Sequence, residues 1–197
     1  MTILSPTFVK KFSSMNNTKH KIINFFTKGW GFLFITAISL ASCHSIQNTT
    51  QTDYTALAKA SYRLGLDIDR KDNHRLMIEA SKWIGVPHRY GGSTMNGVDC
   101  SGLTWNLYKS VYNINLSRSS QAQYDNDVRH SVSKRNLKQG DLVFFSTQGS
   151  RKKINHVGIY MKDGKFIHTS SSKGVRLDYL NDNYWKDKWI SGGRIYR

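Results

Sequence analysis

The stretch His88-Arg-Tyr-Gly-Gly-Ser-Thr-Met-Asn-Gly-Val-Asp-Cys-Ser-Gly-Leu-Thr-Trp-Asn-Leu-Tyr108 constrains this chain more than any other. A glycine-bearing loop runs into a helical pattern, and one cysteine sits at the join. From Cys100 onward, Leu103, Leu107 and Val111 recur every four residues, with Trp105, Tyr108 and Tyr112 between them. That is the pattern of a buried helix. Asp99 suits the N-cap, so Cys100 falls in the first helical turn. Backbone N–H groups there have no intrahelical partner, and the positive end of the helix dipole favours an anion. A thiol so placed is expected to have a lowered pKa and to serve as a thiolate nucleophile. Gly102 lets another segment approach the helix start closely, and Gly91, Gly92 and Gly97 allow a tight loop before it. A lone cysteine is more often a small buried apolar residue. The loop, the cap and the helix start together favour the reactive alternative.

A nucleophile needs a base. His156 begins one candidate strand and His168 ends the next, across Asp163-Gly164, a strong hairpin signal. Antiparallel pairing brings the two positions near one another, so the rings are expected to touch side by side. One imidazole would pair with sulfur and move protons, while the other polar group fixes its tautomer. His20, His44, His74 and His130 have no such context. With one available cysteine and no close-spaced ligand pair, no metal site is expected, and no cofactor is called for.

The remaining pattern sets the fold class. A weak helical pattern covers Tyr54–Leu66. Asp72 or Asn73 then caps a helix carrying Leu76, Met77, Ala80, Trp83 and Ile84, stopped by Gly85 and Pro87. Leu116 to Tyr124 is polar enough to start a short helix. Strands are expected at Leu142–Phe145, His156–Met161, Lys165–His168, Gly174–Asp178 and Gly193–Tyr196. Helices first and an antiparallel β-meander after them make an α+β layout.

Residues 1–42 carry five lysines and no acidic residue, followed by the apolar run Trp30 to Ala41. A charged region and a short apolar region of this kind read as an export signal. Its end, Leu40-Ala41-Ser42-Cys43, resembles the lipobox of bacterial lipoproteins. That resemblance implies cleavage before Cys43, a lipid anchor on its thiol, and attachment to a membrane; with His44 next, the outer membrane facing the periplasm is favoured. Met15 would make a more ordinary start than Met1. Removing the signal lowers the formal charge from +16 to +11. Nucleic acid is the usual partner of such a charge, but an exported protein is expected to meet anionic wall polymers or lipid headgroups instead. Residues 43–71 are expected to form a lipidated tether and a weakly helical lead-in, and residues 72–197 the functional domain, acting as a monomer.

Arg89-Tyr-Gly-Gly, Asp99-Cys-Ser-Gly-Leu, Arg118-Ser-Ser, Gly140-Asp-Leu-Val-Phe-Phe and Asn155-His-Val-Gly-Ile-Tyr resemble the successive motifs of the NlpC-type cell-wall cysteine peptidases. The match runs from roughly Leu76 to Arg197. It implies a papain-like core and hydrolysis of peptidoglycan stem peptides, with Cys100 as nucleophile, His156 as base and His168 as the orienting third residue. Asp99 and Ser101 are placed to contact substrate. Two positions depart from the family: His88 stands where it carries a tyrosine near the thiolate, and Ser117 stands where it carries proline. The first bears on how substrate or oxyanion is held. Other readings are a different acyl-transfer amidase on the same scaffold, or a non-catalytic wall-binding lipoprotein. Within the family, the bond cut is either D-glutamyl–diaminopimelate inside a stem or the D-alanyl–diaminopimelate cross-link. Only about 30 residues precede the expected domain, too few to wall off the site, which favours the cross-link.

Overall fold

Local capping starts each of the three main helices. The computed structural model describes residues 53–148 and 153–195; the signal segment, the tether start and Cys43 lie outside the described residues. Helix α1 (Tyr54–Leu64) is capped by the Asp53 carboxylate, which accepts from the Ala56 N–H, and it ends at Gly65 in the left-handed conformation. Helix α2 (His74–Trp83) is capped by Asn73, which accepts from the Leu76 N–H. Asp72, the other candidate cap, instead accepts from Lys162 Nζ at 2.8 Å. A two-stranded ribbon, β1 (Ser93–Thr94) and β2 (Gly97–Val98), then leads into α3 (Cys100–Tyr112). Leu103, Leu107 and Tyr108 on α3 are fully buried, each such side chain stabilising by about 1.5–3 kcal/mol over exposure.

A short helix α4 (Ser120–Ala122) runs on into a π-helical turn, Gln123–Asp127. Six strands follow: β3 (His130–Val132), β4 (Leu142–Phe145), β5 (His156–Lys162), β6 (Lys165–Ser170), β7 (Gly174–Tyr179) and β8 (Trp189–Arg194). A last helix, α5 (Asn183–Lys188), lies between β7 and β8. The strands form one antiparallel sheet in the order β3-β8-β4-β5-β6-β7. The β5–β6 turn has positive φ at both Asp163 and Gly164, as a two-residue hairpin requires.

Both sheet faces are covered. Leu142, Phe144, Val157, Ile159, Met161 and Ile167 pack with α2 and α3 in the larger core. Val143, Phe145, Phe166 and Trp185 of α5 form a second cluster on the opposite face. Covering both faces is why β4 reads as the unbroken apolar run Leu142-Val-Phe-Phe145.

The α+β class stands, but three details differ from the sequence expectation. The meander β4–β7 is flanked by β8, which returns to pair with β4 and carries β3 on its outer edge. Strand β8 ends at Arg194 and spans Gly192 and Gly193, whose missing side chains hide the alternation that marks a strand. Helix α1 is not a mere lead-in: Leu57, Ala60 and Leu64 are buried, and the compact unit begins at Asp53 rather than at residue 72.

Candidate active site

The site is built where the start of α3 meets the start of β5. Asp99 accepts the Gly102 N–H and the Ser101 hydroxyl. The Gly92 carbonyl lies against the first turn of α3, where a Cβ on Gly102 would run into it. Arg118 bolts this junction together. Its guanidinium donates to the Gly91 and Gly92 carbonyls at 3.1 and 3.2 Å and meets Asp99 at 3.4 Å. Beneath it, the buried Gln123 donates to the Ser101 and Ser117 carbonyls. Ser117 uses its own N–H to reach Asp127 Oδ2 at 2.6 Å, a bond that proline in its place could not make.

Asp99 and Ser101, expected to contact substrate, both bond within the helix start, Asp99 partly exposed and Ser101 buried. Ser101 is buried, with its hydroxyl bonded to Asp99 and to the Arg118 carbonyl. Their hydrogen-bonding capacity is used to hold the helix start.

Cys100 is a free, half-buried cysteine. Burial pushes its thiol up to about 11, and the Asp99 charge acts in the same direction. Backbone N–H groups of Val157, Ser101 and Cys100 itself pull the other way without reversing the result. The expected lowered pKa is therefore not what this structure gives. Desolvation of the sulfur outweighs the helix start, and the resting group is a neutral thiol.

His156 and His168 come together as the hairpin requires, but edge to face rather than side by side. Continuing the Ile159↔Ile167 register sets Gly158 opposite His168 and places His156 on the same face, two residues along. Any side chain on Gly158 would strike the Phe166 ring and the Ile167 carbonyl. The ring centroids lie 5.1 Å apart at 79°, and His156 Nε2 is 3.0 Å from His168 Nδ1. Burial, then the nearby charges of His168 and His88, push His156 well below the ordinary histidine range. His88 is exposed and bridged to Val98, near enough for its charge to act on the same imidazole.

Two groups escaped sequence reasoning. His168 Nε2 is 3.0 Å from Asp178 Oδ2, and the same oxygen accepts Trp185 Nε1–H at 2.9 Å. Trp185 also stacks on His156 at 5.3 Å between centroids and meets His168 edge-on at 4.8 Å. Burial alone would raise Asp178, but bonds from His168 and Trp185 and the charge of Arg176 hold it at about 2. Asp178 stood within an expected strand, and only the pairing of β6 with β7 shows it beside His168. Among the described residues, no cluster of three or more His, Cys, Asp or Glu could hold a metal ion.

A half-buried thiol beside a neutral imidazole, which bonds a second imidazole that in turn bonds a carboxylate, can pass a proton from sulfur to nitrogen as sulfur attacks. A family model described as the NlpC/P60 family matches residues 85–194. The chain is 37% identical over 121 residues to the Escherichia coli (strain K12) protein named murein DD-endopeptidase MepS/murein LD-carboxypeptidase, covering 61% of this chain and 62% of that one. It thus spans less than two thirds of that relative. A Haemophilus influenzae protein named probable endopeptidase is 37% identical over 167 residues, covering 83% of this chain and 96% of its own. The crystal structure of an NlpC/P60 family protein from Bacillus cereus matches with a TM-score of 0.58 at 30% identity, covering 66% of this chain and 42% of that one.

Proposed function

The chain belongs to the NlpC/P60 family, and from that premise we propose that it is a cysteine peptidase of the bacterial cell envelope that hydrolyses peptide bonds of peptidoglycan. The observation that carries this reading is the hydrogen-bonded pair His156–His168 beside the thiol of Cys100, whose sulfur faces the Val157 N–H of the same strand.

In the proposed mechanism, His156 takes the proton from Cys100 as Sγ attacks the amide carbonyl and the C–S bond forms. Backbone N–H groups at the start of α3 stabilise the oxyanion, an interaction worth about 10²–10³ in rate per donor. The imidazolium of His156 then gives its proton to the leaving amine, and the C–N bond breaks to leave a thioester. His156 next takes a proton from water as its oxygen attacks the thioester, the C–S bond breaks to release the carboxylic acid, and the proton returns to sulfur. His168 orients His156 throughout. His88 is in position to influence substrate or oxyanion from the rim of the site.

The cross-link between D-alanine and diaminopimelate is the favoured bond. The E. coli relative is named a DD-endopeptidase, and a basic chain dwells readily on an anionic wall. The purified full-length chain should be incubated with cross-linked muropeptide dimers and, separately, with free tetrapeptide stems, and the products weighed by mass spectrometry. Loss of dimers to intact monomers supports the proposal. Release of L-Ala-D-Glu from stems, with dimers untouched, would show that the bond lies inside the stem, and no cleavage of either would remove the peptidase reading.

The same proposal holds the protein to a membrane through lipid on Cys43. Several acyl chains anchor firmly where one alone anchors marginally. Cys43→Ala should release the protein or block its processing, and a variant still membrane-bound at mature size would contradict the anchor.

A further inference from the structure

The hydrogen bonds beyond His168 fix more than a ring orientation. A carboxylate can only accept, so with Asp178 ionised the His168 Nε2 must carry the hydrogen in the 3.0 Å contact. With its single hydrogen on Nε2, the uncharged form of His168 presents a lone pair at Nδ1. His156 Nε2, 3.0 Å away, must donate to it. The one nitrogen of His156 left without a hydrogen is Nδ1. With Asp178 ionised and both rings uncharged, donor and acceptor counting fixes each step.

We propose that Asp178 is a positioning residue: through His168 it fixes His156 in the tautomer whose Nδ1 lone pair receives the proton of Cys100. This rests on the peptidase reading only for its effect on turnover. Asp178 touches neither sulfur nor substrate. It is itself held from three sides, by His168 on β6, by Arg176 at 2.6 Å on its own strand β7, and by Trp185 on α5 at 2.9 Å. Trp185 lies flat against His156, so one helix locks both the carboxylate and the base. The charge of Asp178 also favours the imidazolium of His156.

Asp178→Asn is the informative change, because it keeps size and hydrogen bonding while removing the charge. Its amide can turn an N–H toward His168 Nε2 and reverse the donor order along the whole chain. Asparagine in place of a carboxylate that touches the base directly can cost about 10⁴ in turnover through the wrong tautomer. One residue further out, the expected loss is roughly 10²-fold in kcat with KM unchanged.

The test uses full-length protein, wild type and Asp178→Asn, with ¹⁵N-labelled histidine. Nitrogen chemical shifts report the His168 tautomer, and iodoacetamide alkylation of Cys100 across pH reports the base without any peptidoglycan. The expected result is a changed His168 tautomer and an alkylation profile whose acid limb moves to lower pH, since His156 has lost the charge that favoured its protonation. Trp185→Phe, which leaves the Asp178 carboxylate, should keep the wild-type tautomer. An unchanged tautomer and an unmoved acid limb in folded Asp178→Asn would overturn the proposal. If both change while wild type cuts no muropeptide, the positioning role stands and the substrate assignment falls.

Discussion

The two halves of the site are built by different kinds of interaction. The Cys100 half is mostly local: Asp99 caps Gly102 three residues on and the Gly92 carbonyl closes on the same helix start, with Arg118 the distant residue that ties them together. The histidine half is assembled from three strands and a helix, through a diagonal across β5–β6, a second diagonal across β6–β7 and a ring supplied by α5. Local capping can be changed without moving the histidines. The histidine array cannot lose a member without changing the protonation of the others. Outside the sulfur itself, the first half is therefore expected to tolerate loss of a capping group, whereas the second tolerates only replacements that keep a hydrogen bond.

The comparison breaks most sharply at sulfur. Cys100→Ser should lower muropeptide cleavage by at least about 10⁴-fold while the thermal midpoint barely moves, because the oxygen nucleophile is far weaker and the cap is untouched. Turnover within tenfold of wild type would remove Cys100 from the chemistry. In the second half, His168→Ala should cost roughly 10²–10⁴ in turnover, with folding intact by circular dichroism. His168→Asn or His168→Gln should retain more, as either can still bond to His156. Full activity in His168→Ala would leave His156 without need of an orienting partner.

Sequence reasoning reached the first half nearly complete, for a physical reason. Capping and helix periodicity act over three or four residues, so Asp99, Cys100 and the α3 core stripe are visible in order along the chain. It reached His156 and His168 because a two-residue turn fixes their separation. Asp178 and Trp185 were out of reach, since their roles arise from the register of β7 and from a six-residue helix with no apolar stripe of its own. The ionisation of Cys100 was also misjudged. A sequence shows the helix start that lowers a thiol but not the burial that raises it.

Smaller effects sharpen the distinction. Asp99→Asn keeps a good cap, so stability should change by only a few tenths of a kcal/mol, whereas Asp99→Ala should cost about 1 kcal/mol in chemical denaturation. Because the Asp99 charge raises the Cys100 thiol, Asp99→Asn should shift thiol titration downward, read as thiolate ultraviolet absorbance against pH. An upward shift would contradict that electrostatic assignment. Least of all, Asp178 should show itself in acid. A carboxylate held at about 2 in the fold, against an ordinary 3.8, adds stability that is present above that ordinary value and is lost as pH falls toward 2. Asp178→Asn should therefore flatten the acid side of the stability curve, as measured by urea midpoints from pH 5 downward, roughly the window of carboxylate linkage.

His156 gives the activity its own pH signature. Its depressed pKa keeps the base neutral below pH 6.5, the ordinary histidine value, while the thiol holds its proton up to about 11. Cleavage should therefore persist from mildly acid to alkaline pH, with the acid limb of kcat/KM below 6.5. A limb at or above that value would mean that His156 is not the titrating base.

The most direct measurement is to trap the covalent intermediate. Full-length protein mixed with cross-linked muropeptide dimers, quenched in acid within a turnover and digested for peptide mapping, should carry an acyl group on Cys100 as a thioester equal in mass to the donor stem less water. The adduct should disappear in Cys100→Ala. Dimers consumed at the wild-type rate by Cys100→Ala, with no adduct on wild-type Cys100, would contradict nucleophilic catalysis by this residue.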